Sequence, residues 1–440
     1  MSVRLGMYMK SDGRAAKVIN WLDAAGLYNL DTLCKLYRDL PSDAIKILVK
    51  WQRQSVMHRK QLDDGSVVDA FALWAGTRQF ELEPLFATGI IGPVGVVPEG
   101  DAGFLTTEKS IEQFLVDTFS TKSASDRRAL MFWGHADGPG GVLFMRLAQL
   151  DAGNRSVSHR HLPQPKNAAI RTLVAAEPDW LSLFEVDTAF TRHAAKGDGE
   201  SIDLVCFDAC QDATIELAAV LAPHVRVMIA NQSSTPIYGW PFDKWTMALD
   251  TEANPAIEDC ARRIVAAYAG MQYENGVISA IDLKHVADML PAIRAISEVL
   301  LADWQRLLPT FHRAAMQCPT IPNSFADKRD VVKLFSEMGL AAVATSPAPQ
   351  TLVGACSTLV ALAAKATIAK SDCKATPTYG YNGLSIYLPD GSLKMSQYAR
   401  SVYAAGTSDF ANFKVQTRWD EVVQRYTHFL SQAAATHSLK

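Results

Sequence analysis

Two short stretches of the sequence carry side chains that could do nucleophilic chemistry. The first, RALMFWGHADGPGG, is an apolar run that ends at His135, and the second, IDLVCFDACQDATIELA, is an apolar run that leads into Asp208 and Cys210. A thiolate is a strong nucleophile, and an imidazole can exchange a proton with the leaving group in acyl transfer. These residue types therefore point to cysteine-dependent hydrolytic chemistry.

The elements around the thiol are predicted to activate it. Residues 202–207 predict a buried strand and the apolar run after Cys210 predicts a helix, so the thiol is expected where the strand gives way to the helix. Reactive side chains collect at the carboxyl ends of strands in open α/β sheets. A helix N-terminus and a nearby imidazolium both favour the thiolate over the thiol.

Asp208 lies two residues before the cysteine, and this spacing puts the two side chains on one face of an extended segment. Its negative charge would by itself oppose thiolate formation. We therefore interpret it as the acceptor for a substrate Lys or Arg side chain. The alternative is that it caps local backbone N–H groups at the turn.

The rest of the chain predicts an α/β fold, because short β-rich runs alternate with longer amphipathic segments. Strands are predicted at residues 45–51, 68–74, 129–134, 202–208, 225–230, 277–282 and 383–388. Helices are predicted at residues 108–119, 211–221, 255–269, 286–305 and 417–433. The domains predicted from this order are a core (1–285), a mostly helical subdomain (286–372) and a closing strand and helix (373–440).

Composition excludes several classes of function. The 440 residues are 48% hydrophobic and 20% charged, which is the mix of a globular protein rather than of a disordered or coiled-coil chain. Forty-three Lys and Arg against 46 Asp and Glu give a net charge of -3 without a basic block. We therefore expect no nucleic-acid partner.

Location and cysteine usage are also predicted from the sequence. The longest apolar runs are far shorter than the roughly 20 residues of a membrane-spanning helix, and the start, MSVRLGMYMKSDGR, lacks the apolar core of a signal peptide. We expect a cytoplasmic protein that does not contact membranes, or a secreted or periplasmic one if a leader is removed. The seven cysteines include no C-x-x-C pair, so no zinc site is expected.

The two strand ends resemble the clostripain family of cysteine peptidases (family C11), within the caspase-like clan. In that family one strand ends in W-N-H-G and another in D-A-C, with a Glu six residues after the Cys; the matching residues here are WGHA (133–136), DAC (208–210) and Glu216. Further segments match in the same order across residues 40–425: IKILVKWQRQ, GTRQFEL, GWPF, ISAIDL and GLSIYLP.

The resemblance implies a caspase-like α/β/α sandwich with a mostly parallel central sheet and an additional C-terminal helical region. It implies that Cys210 is the nucleophile and His135 the general acid/base of a cysteine endopeptidase. Backbone N–H groups of Cys210 and Ala136 would hold the oxyanion. Asp208 would form the acidic floor of the pocket for the residue before the scissile bond, so peptides would be cut after Arg or Lys.

Family members are often made as zymogens that are cut at a basic residue between the histidine and the cysteine. Residues 147–200 include a polar, basic stretch without a clear period, which predicts a long surface loop. We expect self-cleavage in this loop. The candidate processing residues are Arg155, Arg160 and Lys166.

Some residues near the site depart from the family pattern. Ala136 replaces the usual Gly and restricts φ, while Gln211 and Asp212 replace the usual Leu and Met. Tyr238 and Trp240 follow a predicted strand, where they either line the substrate cleft or belong to the core.

Two alternatives to a cysteine peptidase remain. One is a metal-dependent hydrolase with N/O ligands, and the other is a catalytically inert caspase-like protein that binds peptides. The ligands of the first would be His135, Asp137, Asp208 and Asp212.

We expect no cofactor. Calcium dependence occurs in the family, but the sequence has no D-x-D-x-D-G run, so calcium stays open. The expected partner is a protein or peptide substrate that contains Arg or Lys.

Overall fold

A computed structural model gives the fold of this chain for part of its length. The described residues are 3–10, 26, 29–30, 32–33, 45–53, 60–61, 67–68, 76–82, 107–119, 126–134, 136, 143–144, 180–196, 201–235, 239–249, 255–271, 276–321, 328–345, 347, 349–372, 380–390, 403 and 411–437. The architecture below is that of these residues.

Strands and helices alternate along the described chain. The strands are β1 (Val3–Lys10), β2 (Ile45–Arg53), β3 (Lys60–Gln61), β4 (Val67–Val68), β5 (Gly76–Glu81), β6 (Arg127–Trp133), β7 (Leu143–Phe144), β8 (Trp180–Leu181), β9 (Ile202–Asp208), β10 (Val225–Asn231), β11 (Ile278–Asp282), β12 (Lys328–Asp330), β13 (Thr367–Lys370) and β14 (Ser385–Tyr387). The helices are α1 (Glu108–Phe119), α2 (Leu183–Lys196), α3 (Ile215–Leu221), α4 (Phe242–Ala248), α5 (Ile257–Ala269), α6 (Leu283–Ala302), α7 (Trp304–Gln317), α8 (Val331–Val343), α9 (Gln350–Ala366), α10 (Ala411–Thr417) and α11 (Trp419–His437).

Eight strands form one sheet in the order β13-β11-β10-β9-β6-β1-β2-β5. The five strands from β10 to β2 run parallel to one another. The remaining pairings, of β5 with β2, of β11 with β10 and of β13 with β11, are antiparallel. Parallel strands are buried on both faces by the helices that connect them, and every residue of β6 is buried. The mostly parallel α/β/α sandwich predicted from the sequence is confirmed.

The two faces of the sheet pack into two separate hydrophobic cores. Alternate side chains of β9 belong to different cores: Val205 and Phe207 face α1, α3 and α6, whereas Leu204 and Cys206 face α4 and α5. On the first face Phe207 stacks on Phe132 of β6, with ring centroids 5.0 Å apart. This packing holds β6 and β9 side by side up to their carboxyl ends.

Strand β1 was not predicted from the sequence, although it lies in the middle of the sheet. Its residue Gly6 lacks a side chain to pack and weakens the strand pattern. A Cβ at Gly6 would lie 2.9 Å from the Phe114 ring of α1. The glycine is therefore explained by the close approach of α1, a contact between distant parts of the chain.

Most other predicted strands are confirmed, with ends shifted by one to two residues. The strand predicted at 68–74 falls largely outside the described residues; β4 covers residues 67–68, and the next described strand is β5. The helix predicted at 286–305 is wrong at its end, because α6 stops at Ala302 and α7 begins at Trp304.

The predicted helical region contains α6 to α9 and also two strands. Strand β13 extends the edge of the main sheet beside β11, and β12 pairs with β14 from the C-terminal part of the chain. The additional helical region is confirmed as part of the fold. The division into domains at residues 285 and 372 stays a prediction. Among the described helices, none is both long and apolar enough to cross a membrane.

Candidate active site

The carboxyl ends of β6 and β9 lie next to each other, as the sequence predicted. Trp133 is opposite Asp208 in the parallel register, and the backbone N–H of Gly134 donates to the Asp208 carbonyl at 3.3 Å. His135 follows directly but lies outside the described residues, whereas Ala136 is described and buried. The backbone that leads into the histidine is therefore adjacent to the backbone that leads into the cysteine.

Cys210 differs from the other described cysteines in its exposure. It is partly exposed, and the other four are buried: Cys206, Cys260, Cys318 and Cys356. Burial raises the pKa of those four thiols, to about 12 for Cys318 and Cys356. A nucleophile must meet its substrate as a thiolate, so Cys210 is the described cysteine that fits this role. Cys206, four residues earlier on β9, belongs to the core.

The helix after Cys210 begins later than predicted. Helix α3 starts at Ile215, with Thr214 as N-cap accepting from the N–H of Leu217 at 3.3 Å. The segment between Cys210 and Ile215 is not helical because both backbone groups of Ala213 bond to distant segments. Its N–H donates to the carbonyl of Asn231, and its carbonyl accepts from the N–H of Ser385. The prediction of a helix from residue 211 is wrong, and the thiol does not lie at a helix N-terminus.

The turn that carries Cys210 has an unusual backbone. Gln211 has a φ of 59°, in the left-handed region that residues other than Gly seldom adopt. Its N–H donates to the carbonyl of Ser233 at 3.0 Å, a bond from the loop after β10 that holds this conformation. Strained backbone of this kind clusters at functional sites, where the surrounding structure enforces it.

The loop after β10 also contacts the sulfur. The backbone N–H of Thr235 donates to Cys210 Sγ at 3.3 Å. Sequence reasoning assigned no role to this loop. A signal was present, because the polar run NQSST follows the apolar residues 225–230 at the end of a strand beside β9.

Asp208 is almost completely buried, with 2% of its surface exposed. Its Oδ2 accepts from the backbone N–H of Trp240 at 3.0 Å, whereas Oδ1 has no hydrogen-bond partner among the described residues. Burial raises the pKa of this carboxyl to about 8, and the bond from Trp240 opposes the shift. One oxygen thus follows the capping interpretation, and the other is buried without a partner among the described residues.

Gly239 makes the close approach to Asp208 possible. Its φ is 67°, and a Cβ at this position would lie 2.2 Å from Asp208 Oδ2. A side chain here would displace the carboxylate, so the conformational freedom of glycine is required. The neighbouring Trp240 is 2% exposed, and its ring packs against Tyr268 at 6.4 Å. Trp240 therefore contacts Asp208 through its backbone, and its ring belongs to the core.

Glu216 holds the C-terminal part of the chain against α3. It is fully buried, and its Oε1 accepts from the backbone N–H of Tyr387 at 2.9 Å and from the hydroxyl of Tyr403. Burial raises the pKa of this carboxyl. The glutamate six residues after the cysteine thus anchors the C-terminal part of the chain.

Several predicted site residues lie outside the described part of the chain. They are Asp137, Tyr238 and the processing candidates Arg155, Arg160 and Lys166. Asp212 is described and buried. Among the described residues, which do not include His135 or Asp137, no group of three or more His, Cys, Asp or Glu could hold a metal ion. The expectations about cofactors and calcium stay predictions.

Comparisons with known proteins identify the family. The clostripain (peptidase C11) family model matches residues 175–426, more than half of the chain. A search of curated proteins finds no match.

Three solved structures resemble this fold across nearly its whole length. One is a secreted C11 cysteine protease from Bacteroides thetaiotaomicron in complex with an irreversible peptide inhibitor; it is 14% identical with a TM-score of 0.55, and the match covers 96% of this chain and 100% of that one. A second is the secreted C11 protease "iotapain" from the same organism, 12% identical with a TM-score of 0.52, covering 95% and 99%.

The third is an inactive zymogen C11 protease from Parabacteroides distasonis, 14% identical with a TM-score of 0.52, covering 92% of this chain and 99% of that one. At these identities the structures establish the caspase-like fold, and the family model establishes the family. The chain belongs to the clostripain family and is a cysteine-type peptidase.

Proposed function

We propose that the protein is an endopeptidase that cuts peptide bonds after Arg or Lys, with Cys210 as nucleophile and His135 as general acid/base. The observation that carries the specificity is the buried carboxyl of Asp208. It has one oxygen without a hydrogen-bond partner among the described residues, and it ends the strand whose following turn holds the partly exposed thiol.

The reaction proceeds through an acyl-enzyme. The Cys210 thiolate attacks the scissile carbonyl carbon and forms a C–S bond, while backbone N–H groups of Cys210 and Ala136 bind the oxyanion. The C–N bond then breaks, and His135 gives its proton to the departing amine. Water next attacks the thioester, His135 takes a proton from it, and the thiolate leaves.

The preference for a basic residue follows from the electrostatics of Asp208. A buried carboxyl without a cation stays protonated because ionisation in a medium of low polarity is costly, and its raised pKa reflects this. A guanidinium or ammonium group that reaches Oδ1 would compensate the negative charge and complete the hydrogen bonding. A neutral side chain would leave that oxygen unpaired, which disfavours its binding.

A fluorogenic peptide library that varies only the residue before the scissile bond tests this proposal. We expect cleavage after Arg and Lys to exceed cleavage after Gln, Met and Leu by at least about 100-fold, the scale for a buried charge pair. Labelling of Cys210 by an arginyl acyloxymethyl ketone, located by mass spectrometry, checks the nucleophile. Equal cleavage after neutral residues would overturn the proposed specificity.

The pKa of Asp208 predicts how this specificity changes with pH. Below pH 8 the carboxyl of the empty pocket is mostly protonated, so binding a cation costs the loss of that proton. The ratio of kcat/KM for an Arg substrate to that for a neutral one should therefore rise by up to about tenfold per pH unit towards pH 8 and level off above it. Titration of Cys210 and His135 affects kcat/KM for both substrates equally, so it cancels in the ratio. A ratio that is flat between pH 6 and 9 would contradict the prediction.

We further propose that the protein is made as a zymogen cut in the 147–200 loop. The similarity to an inactive zymogen structure supports this, as does the basic sequence of the loop. Wild type is expected to appear as two fragments, whereas Cys210→Ala expressed under the same conditions should stay intact, because the nicking needs its own thiolate. Intact mass spectrometry locates the cut at Arg155, Arg160 or Lys166. Equal nicking of both proteins would mean that host proteases cut the loop.

The place of action also belongs to this proposal. The cytoplasmic location expected from the sequence has no support from the comparisons, because the two similar proteases from Bacteroides thetaiotaomicron are secreted. We therefore favour the alternative expectation, that this peptidase acts outside the cytoplasm.

A further inference from the structure

Asn231, the last residue of β10, and the loop of residues 232–235 after it support the turn that carries Cys210 through several bonds. Asn231 Nδ2 donates to the carbonyls of Phe207 and Ala209 at 3.3 and 3.2 Å. The backbone carbonyl of Ser233 accepts a hydrogen bond from the N–H of Gln211. The position of the thiol is thus determined by this loop as well as by its own strand.

Thr235 contacts the sulfur of Cys210 through its backbone, and the thiol in turn lies 3.9 Å from the Thr235 carbonyl. Its backbone N–H lies 3.3 Å from Cys210 Sγ, and its hydroxyl Oγ1 donates to the carbonyl of Ala209 at 2.8 Å. The hydroxyl bond ties Thr235 to the residue directly before the nucleophile. An N–H group held in this way favours the thiolate, because hydrogen bonds to the charged form of a group stabilise it.

The loop is in turn fixed by the C-terminal part of the chain. Gln232 Nε2 donates to Asp330 Oδ2 at 2.8 Å and to Ser385 Oγ at 3.2 Å, and its Oε1 accepts from Gly383. All four of these residues are buried. Ser233 Oγ accepts from the N–H of Val277 at 2.6 Å. The half-buried donor that faces the sulfur therefore lies in a loop that buried hydrogen bonds fix in place.

We propose that Thr235 is a positioning residue for the nucleophile: its hydroxyl, bound to the Ala209 carbonyl, aims its backbone N–H at Cys210 Sγ and so raises the thiolate fraction at neutral pH. This inference rests on the proposed role of Cys210. It adds a donor from the loop after β10 to a site in which no helix N-terminus lies at the sulfur.

The test measures ionisation of the thiol directly, without peptide cleavage. Iodoacetamide alkylation of Cys210 is followed between pH 5.5 and 9.5, with the Cys210 peptide quantified by mass spectrometry. Thr235→Val should slow alkylation about 3- to 10-fold at pH 6.5 and leave the rate at pH 9.5 within about twofold, as expected for a weakened hydrogen bond. Thr235→Ser keeps the hydroxyl and should retain the wild-type profile.

A matched control separates this effect from a general loss of packing. Thr427 of α11 donates through its hydroxyl to the Val423 carbonyl at 2.8 Å, so Thr427→Val removes a similar bond elsewhere and should leave the profile unchanged. If Thr235→Val does not fold, Thr235→Ala replaces it with the same expected result.

Three outcomes would overturn the inference: a wild-type profile for Thr235→Val, an equal slowing at every pH, or a Thr235→Ser profile as altered as that of Thr235→Val. Peptide cleavage by the wild-type protein tests the proposed function separately. If wild type does not cleave Arg or Lys substrates, the specificity falls while the alkylation result stands.

Discussion

Replacement of Cys210 by alanine should lower kcat/KM for an Arg peptide at least about 10⁴-fold, because catalytic residues act together and an enzyme that lacks its proposed nucleophile loses nearly all turnover. Of the cysteines in the described residues, Cys210 is the one with a partly exposed sulfur, and it follows the strand beside the one that leads into His135. Steady-state kinetics with a fluorogenic Arg peptide measures the loss.

The control for this prediction is another cysteine with a different environment. Cys356 is buried in α9, and Cys356→Ala should keep turnover near that of wild type. Circular dichroism and thermal unfolding show whether either variant has lost the fold. A Cys210→Ala protein that is folded and still cleaves the peptide would remove Cys210 from the mechanism.

Asp208→Asn should lower kcat/KM for Arg and Lys substrates about 10²- to 10³-fold and change that for neutral substrates little, because it removes one partner of a buried charge pair. Asparagine is nearly isosteric and can still accept from the Trp240 N–H at Oδ1. It also mimics the protonated carboxyl, which dominates below pH 8 in the empty pocket. The thermal unfolding midpoint should therefore not fall, and the pH dependence of the substrate ratio should disappear.

Asp203→Asn is the matched control on the same strand. Asp203 lies at the other end of β9, is partly exposed, and likewise accepts from one backbone N–H, that of Arg128 at 2.9 Å. It should leave the preference for basic residues intact. If Asp208→Asn also keeps that preference, the acidic receptor lies elsewhere in the molecule.

The strand that leads into Cys210 could be predicted because its signal is local. Residues 202–208 form a continuous apolar run followed by polar residues, and β9 has these bounds in the structure. The adjacency of β6 and β9 could be anticipated from the strand-end rule and the family resemblance. Cys206, inside this run, is buried, and Cys210, in the polar sequence after it, is partly exposed.

The conformation after the strand could not be predicted, because distant residues decide it. The apolar run TIELAAVLA suggests a helix that starts close to Cys210, but the chain stays extended at Ala213, where Asn231 and Ser385 take its backbone hydrogen bonds. Local propensity was overruled by pairing with segments that are close only in the folded protein. Strand β1 was missed for a related reason, since Gly6 is explained by the approach of α1.

The amino-acid sequence by itself determined the α/β class, the apolar strand that leads to Asp208 and Cys210, and the presence of a thiol at its end, because periodicity and residue type are properties of neighbouring residues. Only the tertiary structure decided that Asp208 is buried with one oxygen bound to Trp240, and that Thr235 donates to the sulfur. Burial and hydrogen-bond direction are set by segments distant in the chain, so they exist only once the sheet, the loop after β10 and the C-terminal region have packed together.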